Sequence, residues 1–358
     1  MTILDRYIIK RFLVTFTFTL GLILMIAVVF DLTERLSGFY DTKPAWSDVF
    51  FVYYKNFALK YGIMLSSFFT FLSVIIFTSN MAGKTEIVPI LTSGVSYFRF
   101  LRPYIYGASI IGLVTLFCTQ WYLPHVSTDA FEFEQTHVFS RSPSTYSKVH
   151  VQMNKQETVT LGSYNTHSFR GNRFSYEKFD GIDMKEKIMA DVFRYNKDSL
   201  KWEIEGWHSR VFTTDGEIVT SGRKKLITLN LPPEDIVSQV KEASLLDYRQ
   251  LLDKIESEKA KGASNVQWFE IEFHQRNAAA FSNIILTLIA VSLSAKKTRG
   301  GLGVNISIAL GMIMMYMLIH KFGVTFAQYS NLNPMIATWL PNIFFAFVAL
   351  YSLKKAQK

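Results

Sequence analysis

Pro103–Thr128, PYIYGASIIGLVTLFCTQWYLPHVST, contains no charged residue. As a helix it is long enough for a bilayer core, which needs roughly 20 apolar residues. Directly after it, Asp129-Ala-Phe-Glu-Phe-Glu134 opens a stretch in which charges recur as far as Arg276. The join between the two is the edge of a membrane segment and the start of a folded insert.

The same contrast repeats outward. Phe12–Phe30 and Tyr61–Gly83 precede the first run and carry no charge, and Asn277–Ala295, Gly300–Ile319 and Phe322–Leu353 follow the insert with none. The last run is too long for one span. Its polar stretch Gln328–Pro334 (QYSNLNP) reads as a loop, and a sixth helix begins near Pro334. Hydrophobic residues make up 49% of the chain, a fraction one soluble domain could also reach, so their distribution decides the class. The expected fold is an α-helical membrane protein of six transmembrane helices with an inserted all-β, jelly-roll-like external domain. The expected division is 1–128 for the first helical triplet, with a short helix at about 84–94; 129–243 for the β domain; 244–270 for a helix and return linker; and 271–358 for the second triplet.

Basic residues in short flanks set the orientation. Arg6, Lys10, Arg11, Lys84, Arg99, Arg102, Lys296, Lys297, Arg299, Lys354, Lys355 and Lys358 fall on one side, against the acids Asp5 and Glu86. On the other side Arg35, Lys43, Lys55, Lys60 and Lys321 face Asp31, Glu34, Asp41 and Asp48. The first side is therefore expected to be cytoplasmic, with both termini inside and the insert outside. Much of the net charge of +9 is this bias and needs no nucleic acid to explain it. The first helix has a basic start, but its apolar body leads into Asp31-Leu-Thr-Glu34 without a small-residue cleavage site, so an uncleaved anchor is expected. Cys118 is the single cysteine, which leaves the insert to hold itself together by packing.

The insert reads as β. Val149–Met153, Thr158–Leu161, Arg173–Glu177, Leu200–Ile204, Val211-Phe212 and Leu226–Leu231 alternate apolar and polar residues. Turn signals at Arg170-Gly-Asn172, Asp180-Gly-Ile182, Asn196-Lys-Asp198 and Asp215-Gly-Glu217 separate them. This pattern predicts an antiparallel sandwich, jelly roll or open barrel. A helix over roughly Ser244–Lys259 follows, with Gly262 placed to end it.

Lys84-Thr-Glu-Ile-Val-Pro-Ile-Leu-Thr-Ser-Gly94 lies between the second and third spans. Thr85 is placed to cap a short helix with Glu86 against its positive end. Ile87, Ile90 and Leu91 share one face, Pro89 stands where it can kink the helix, and Gly94 ends it. The segment is an interfacial helix on lipid headgroups or a docking helix for a cytoplasmic partner.

In this order the segments resemble the lipopolysaccharide export permeases LptF and LptG. The likeness rests on Leu4-Asp-Arg-Tyr-Ile8, Glu86 with Ser93-Gly94, Leu229–Ile236 followed by Ser244-Leu245, Phe273–Ala278 leading into an apolar helix, and Lys297–Gly303. The opening and Asn333-Pro334 lean towards LptG, while Ala280 stands where the family often has Pro. The resemblance implies an inner-membrane permease with a periplasmic β domain. It implies a heterodimer with a second permease of the family, seated on a cytoplasmic LptB-like ATPase dimer. Lipopolysaccharide would be drawn from the membrane and passed to LptC- and LptA-like bridge proteins. Under this reading Glu86, Ile87, Ile90 and Leu91 couple to the ATPase. Arg35, Lys55, Lys60, Arg276 and Lys321 are candidates to meet substrate phosphates. Phe174, Tyr176, Trp202, Ile204 and Phe212 are candidates to line an acyl-chain slot.

Enzyme motifs do not fit. Gly83-Lys-Thr85 lacks the upstream glycine of a phosphate loop, no HExxH or GxSxG occurs, and the histidines lack ligand spacing. No cofactor or metal is expected, and ATP hydrolysis is assigned to a separate chain. A second class stays open: a membrane-anchored structural or assembly factor whose outer β domain binds envelope partners.

Overall fold

The computed structural model describes residues 2–134, 137, 145–154, 156–165, 168–196, 199–213, 216–229, 231–236, 242–261, 266–295, 301–329 and 332–356. Of these, 145–148, 234, 235, 242, 301, 302 and 329 are described by their backbone alone. The expected stop at Gly262, the basic residues Lys296, Lys297, Arg299 and Lys358, and the centre of the turn Asn196-Lys-Asp198 lie outside the described residues. The chain divides into two compact units, one of Met1–Val138 with Glu270–Lys358 and one of Phe139–Phe269.

The helical elements are α1 (Ile3–Thr42), α2 (Trp46–Asp48), α3 (Lys55–Met64), α4 (Ser66–Gly83), α5 (Ile87–Thr92), α6 (Tyr97–Phe117) and α7 (Leu123–Phe133). After the sheet come α8 (Glu242–Leu245), α9 (Tyr248–Lys261), α10 (Val266–Ser294), α11 (Gly301–Tyr329) and α12 (Pro334–Ala356). Six helical stretches among the described residues are long and apolar enough to cross a membrane, as the uncharged runs require. The sixth begins at Pro334, where the sequence places it.

Helices in lipid gain little from apolar burial against one another, so close approach and polar bonds decide their packing. A Cβ on Gly112 would lie 2.8 Å from the carbonyl oxygen of Ala280, and one on Gly323 would run into that of Ala337. These glycines let α6 meet α10 and α11 meet α12 backbone to backbone. Thr70 Oγ1 donates to Asn283 Oδ1 (2.8 Å), Asn305 Nδ2 to Ser79 Oγ (2.9 Å), and the Ser67 and Ser282 hydroxyls share a 2.5 Å bond. Such bonds bind α4 to α10 and α11 at several depths. At the start of α1, Thr2 and Asp5 form a capping box, and Arg99 grips both Asp5 oxygens at 2.8 Å. Phe12 sits where a Cβ on Gly107 would be, which fixes the same end of α1 against α6.

The second unit holds β1 (Thr145–Asn154), β2 (Glu157–Asn165), β3 (Arg170–Asp180), β4 (Asp183–Asn196), β5 (Lys201–Thr213) and β6 (Gly216–Ile227). They form one antiparallel meander in which each strand pairs with its chain neighbours. The all-β insert is thus present, with corrections of detail. Arg170-Gly-Asn172 opens β3 and is no turn, Val211-Phe212 is the end of β5, and β4 is a strand the alternation did not mark. The helix expected over Ser244–Lys259 is two, α8 and α9.

Every ladder is interrupted along one line across the sheet, by two levels between β4 and β5 and by one level elsewhere on that line. Pairing passes from Leu161↔Phe174 to Ser163↔Asn172, from Phe174↔Ala190 to Asn172↔Val192, and from Trp207↔Gly222 to Glu205↔Lys224. Gly162, Arg173, Asp191, Gly206 and Arg223 therefore stand abreast. Arg173 and Gly206 take left-handed φ values of 54° and 65°. Across this line the buried positions change phase: Ile188 and Ala190 give way to Phe193 in β4, and Trp202 and Ile204 to Ser209 in β5. In β5 the left-handed Gly206 turns the strand about its axis, so the same face stays buried while its numbering shifts by one, and β4 shifts in step at the unpaired Asp191.

Candidate functional site

The segment after α4 forms the short helix α5. Glu86 is its N-cap residue; the Thr85 hydroxyl instead donates to Lys84 O at 2.7 Å, so Thr85 does not cap the helix. Pro89 lies in the first turn, where its missing N–H has no helical acceptor to lose. Gly94 ends the segment at φ 90°. Ile87 is buried, and Ile90 and Leu91 are half-buried against the core of the helical unit. The apolar face therefore turns inward. Val88, Pro89 and Thr92 are exposed beside the half-exposed Glu86, whose carboxylate has no ion-pair partner among the described residues.

The five basic candidates separate into two kinds. Lys55, Lys60 and Lys321 are exposed. Arg276 is buried, and its Nε donates to Glu272 Oε1 at 2.8 Å. Arg35 Nε donates to Asp31 Oδ1 at 2.8 Å. The same carboxylate accepts from the Tyr53 hydroxyl at 2.8 Å and the Tyr54 hydroxyl at 3.4 Å through Oδ2. Both tyrosines belong to a π-helical turn, Val49–Tyr54. Sequence reasoning missed this arrangement. Its traces were an acid four residues before an arginine, and two adjacent tyrosines ahead of Lys55.

In the β unit, Phe174, Tyr176, Trp202 and Ile204 are buried in one cluster. Phe174, Phe193 and Trp202 stack in sequence, with centroids 4.4 Å and then 4.0 Å apart and planes within 9°. Trp202 Nε1 donates to Leu231 O at 2.9 Å. Burial, with Glu157 next, holds the Tyr176 hydroxyl above the ordinary tyrosine range, so the ring presents no charge. Phe212 lies apart, 36% exposed, because the phase change at Gly206 puts even-numbered residues of distal β5 on the other face.

Six apolar spans interrupted by one antiparallel sheet define a multi-pass membrane protein with a folded β insert. The chain belongs to the family described as lipopolysaccharide export system permease LptF/LptG, whose sequence profile matches residues 6–355. It is an inner-membrane transport subunit of lipopolysaccharide export, and the match does not separate LptG from LptF. No curated protein matches the chain.

Proposed function

We propose that the chain is one permease half of an ABC-type lipopolysaccharide exporter. It pairs with a second permease of the family on an LptB-like ATPase dimer. Both termini and α5 are cytoplasmic, and the β unit is periplasmic. Glycolipid phosphates meet the exposed Lys55, Lys60 and Lys321 first, then Arg35 and Arg276 by exchange with their resident carboxylates. Acyl chains pass through the apolar interior of the β unit, entering as the packed cluster of Phe174, Tyr176, Trp202 and Ile204 opens, towards LptC- and LptA-like bridge proteins. Phe212 serves the outer rim of that path.

The observation that carries the reading is α5 itself. Its apolar side is already satisfied by Ile87, Ile90 and Leu91, while Glu86 sits half-exposed at its positive end with no partner ion among the described residues. Those three apolar residues then hold the docking helix to the spans, and Glu86 with Val88 meets the ATPase. Glu86→Lys should disrupt transport and leave insertion intact. A wrong charge in a seat for a carboxylate costs on the order of 2–5 kcal/mol of interface stability. Purification from native membranes measures ATPase and second-permease recovery, and lipid release on ATP addition measures coupling. Normal recovery and release with the variant would sink the assignment of Glu86.

A further inference from the structure

Three donors converge on the Asp31 carboxylate: Arg35 Nε on one oxygen, and the hydroxyls of Tyr53 and Tyr54 on the other. An Asp–Arg pair one helical turn apart is commonplace and needs no further donors. Here the π turn aims two consecutive tyrosines at a single oxygen. Turns of this kind are rare and concentrate at functional sites. Both tyrosines are buried, at 2% and 5% exposure, so their hydroxyls are fixed in place. The Arg35 guanidinium lies 5.6 Å from the centre of the Tyr53 ring. Arg35 remains 29% exposed while Asp31 is 11% exposed, so the cation is the more accessible of the pair.

The geometry points to an anion seat whose occupant is part of the chain. We infer that Arg35, Tyr53 and Tyr54 form a site for a phosphate monoester, with Asp31 as the resident counter-anion that the phosphate displaces. This rests on the proposed role of Arg35 at substrate phosphate and adds what holds that role in check. The donor set suits phosphate: one guanidinium and two neutral hydroxyls give charge-assisted bonds to several oxygens. Glu134 places a further negative charge near Arg35 and Tyr53. With Asp31 also present, the seat has no spare positive charge, so an anion enters by exchange. An internal competitor lowers apparent affinity by the fraction of time the seat is free.

Removing the competitor should therefore tighten binding, opposite in sign to the loss expected if Asp31 only braces the helix. The test uses the full chain in dodecyl maltoside micelles, titrated with diphosphorylated lipid A, dephosphorylated lipid A or inorganic phosphate. Asp31→Asn and Asp31→Ser should each bind diphosphorylated lipid A about tenfold more tightly than the wild type. Adding Arg35→Gln, or using dephosphorylated lipid A, should erase the gain. Competition by inorganic phosphate would make free phosphate a source of the ligand; its absence would assign the seat to lipid-borne phosphate. Carboxyl footprinting of the unmodified chain reads the exchange without any substitution, and lipid A should raise labelling of Asp31. Unchanged labelling, or weaker binding by both folded Asp31 variants, overturns the inference. If Arg35→Gln alone still weakens lipid A binding in that case, the phosphate role of Arg35 survives; if it has no effect, that role fails as well.

Discussion

Trp202→Ala asks whether the β unit has a packed interior or an open slot. Trp202 is 1% exposed and stacks on Phe193 at 4.0 Å. Tyr195 and Tyr164 meet its ring edge-on, with centroids at 4.9 Å and 6.5 Å. Truncating a packed tryptophan costs about 3–5 kcal/mol. Its indole N–H also satisfies Leu231 O, and leaving that carbonyl unpaired adds about 1–3 kcal/mol where water cannot reach it. The sum approaches the whole stability of an ordinary domain, roughly 5–15 kcal/mol. Hydrogen exchange on the full chain in nanodiscs should then show β3, β4 and β5 losing protection together, with α4 and α10 unaffected. Trp202→Phe keeps a ring in the stack and loses the hydrogen bond, so its effect should be about 1–3 kcal/mol plus the lost volume. Undiminished protection of the three strands in the alanine variant would refute the packed reading. The cluster would then be a slot whose walls tolerate truncation, and photo-crosslinkers at Phe174 and Ile204 should capture glycolipid during ATP-driven transport.

Three further outcomes are expected. In a Cys118→Ser background, an impermeant maleimide should label a cysteine at Ser199 in cells with a permeabilised outer membrane and spare one at Lys358; the reverse pattern would overturn the proposed orientation. Gly206→Val forces a β-branched residue to φ 65° beside the Asp191 carboxylate, at about 1–2 kcal/mol for the backbone alone. The β unit should melt roughly 2–8 °C lower, and Gly206→Asn should lose less. Gly323→Leu drives a side chain into the backbone of α12 and should cost about 1–3 kcal/mol, read as a lower melting temperature in detergent.

The spans were legible because absence of charge over a bilayer's thickness is a strong signal, and Pro334 marked the last start without ambiguity. The β character was legible from alternation. Its interruptions were not: β4 carries Lys185, Glu186 and Lys187 in succession, which reads as solvated loop. The phase change hid Phe212 in the same way. Period-two counting carries its parity through Gly206, while the backbone does not. Helix α1 was harder still at its far end. Asp31 looked like the end of an apolar body, yet α1 continues to Thr42, because Arg35 and two tyrosines from another element satisfy that carboxylate. No local pattern announces a partner more than twenty residues away. In the short helix, spacing found the apolar face of Ile87, Ile90 and Leu91 correctly. Which way the face turned depended on packing that the sequence does not display.

The helical unit distributes its internal ties unevenly. The most apolar window of Ser66–Gly83 is 67% buried, against 6% for that of Ile3–Thr42. Moving α4 would break Thr70–Asn283, Ser79–Asn305 and Ser67–Ser282, and each broken bond leaves polar groups stranded in apolar surroundings. Helices α4, α10 and α11 should therefore move as one body. Helix α1 is gripped near its start by Arg99 and Gly107, and near its far end by Tyr53. Between those grips, Thr15 and Thr19 bond to carbonyls of their own helix, and Val14, Phe18, Leu22, Met25 and Val29 are exposed. Displacing that middle portion gives up dispersion contacts, which lipid or another apolar helix replaces at little cost. A mobile wall needs this mechanical arrangement, with fixed points at its ends and replaceable contacts between them. The grip at the Asp31 end is the one that an arriving phosphate can loosen, because its strength lies in the same three donors that would bind the phosphate.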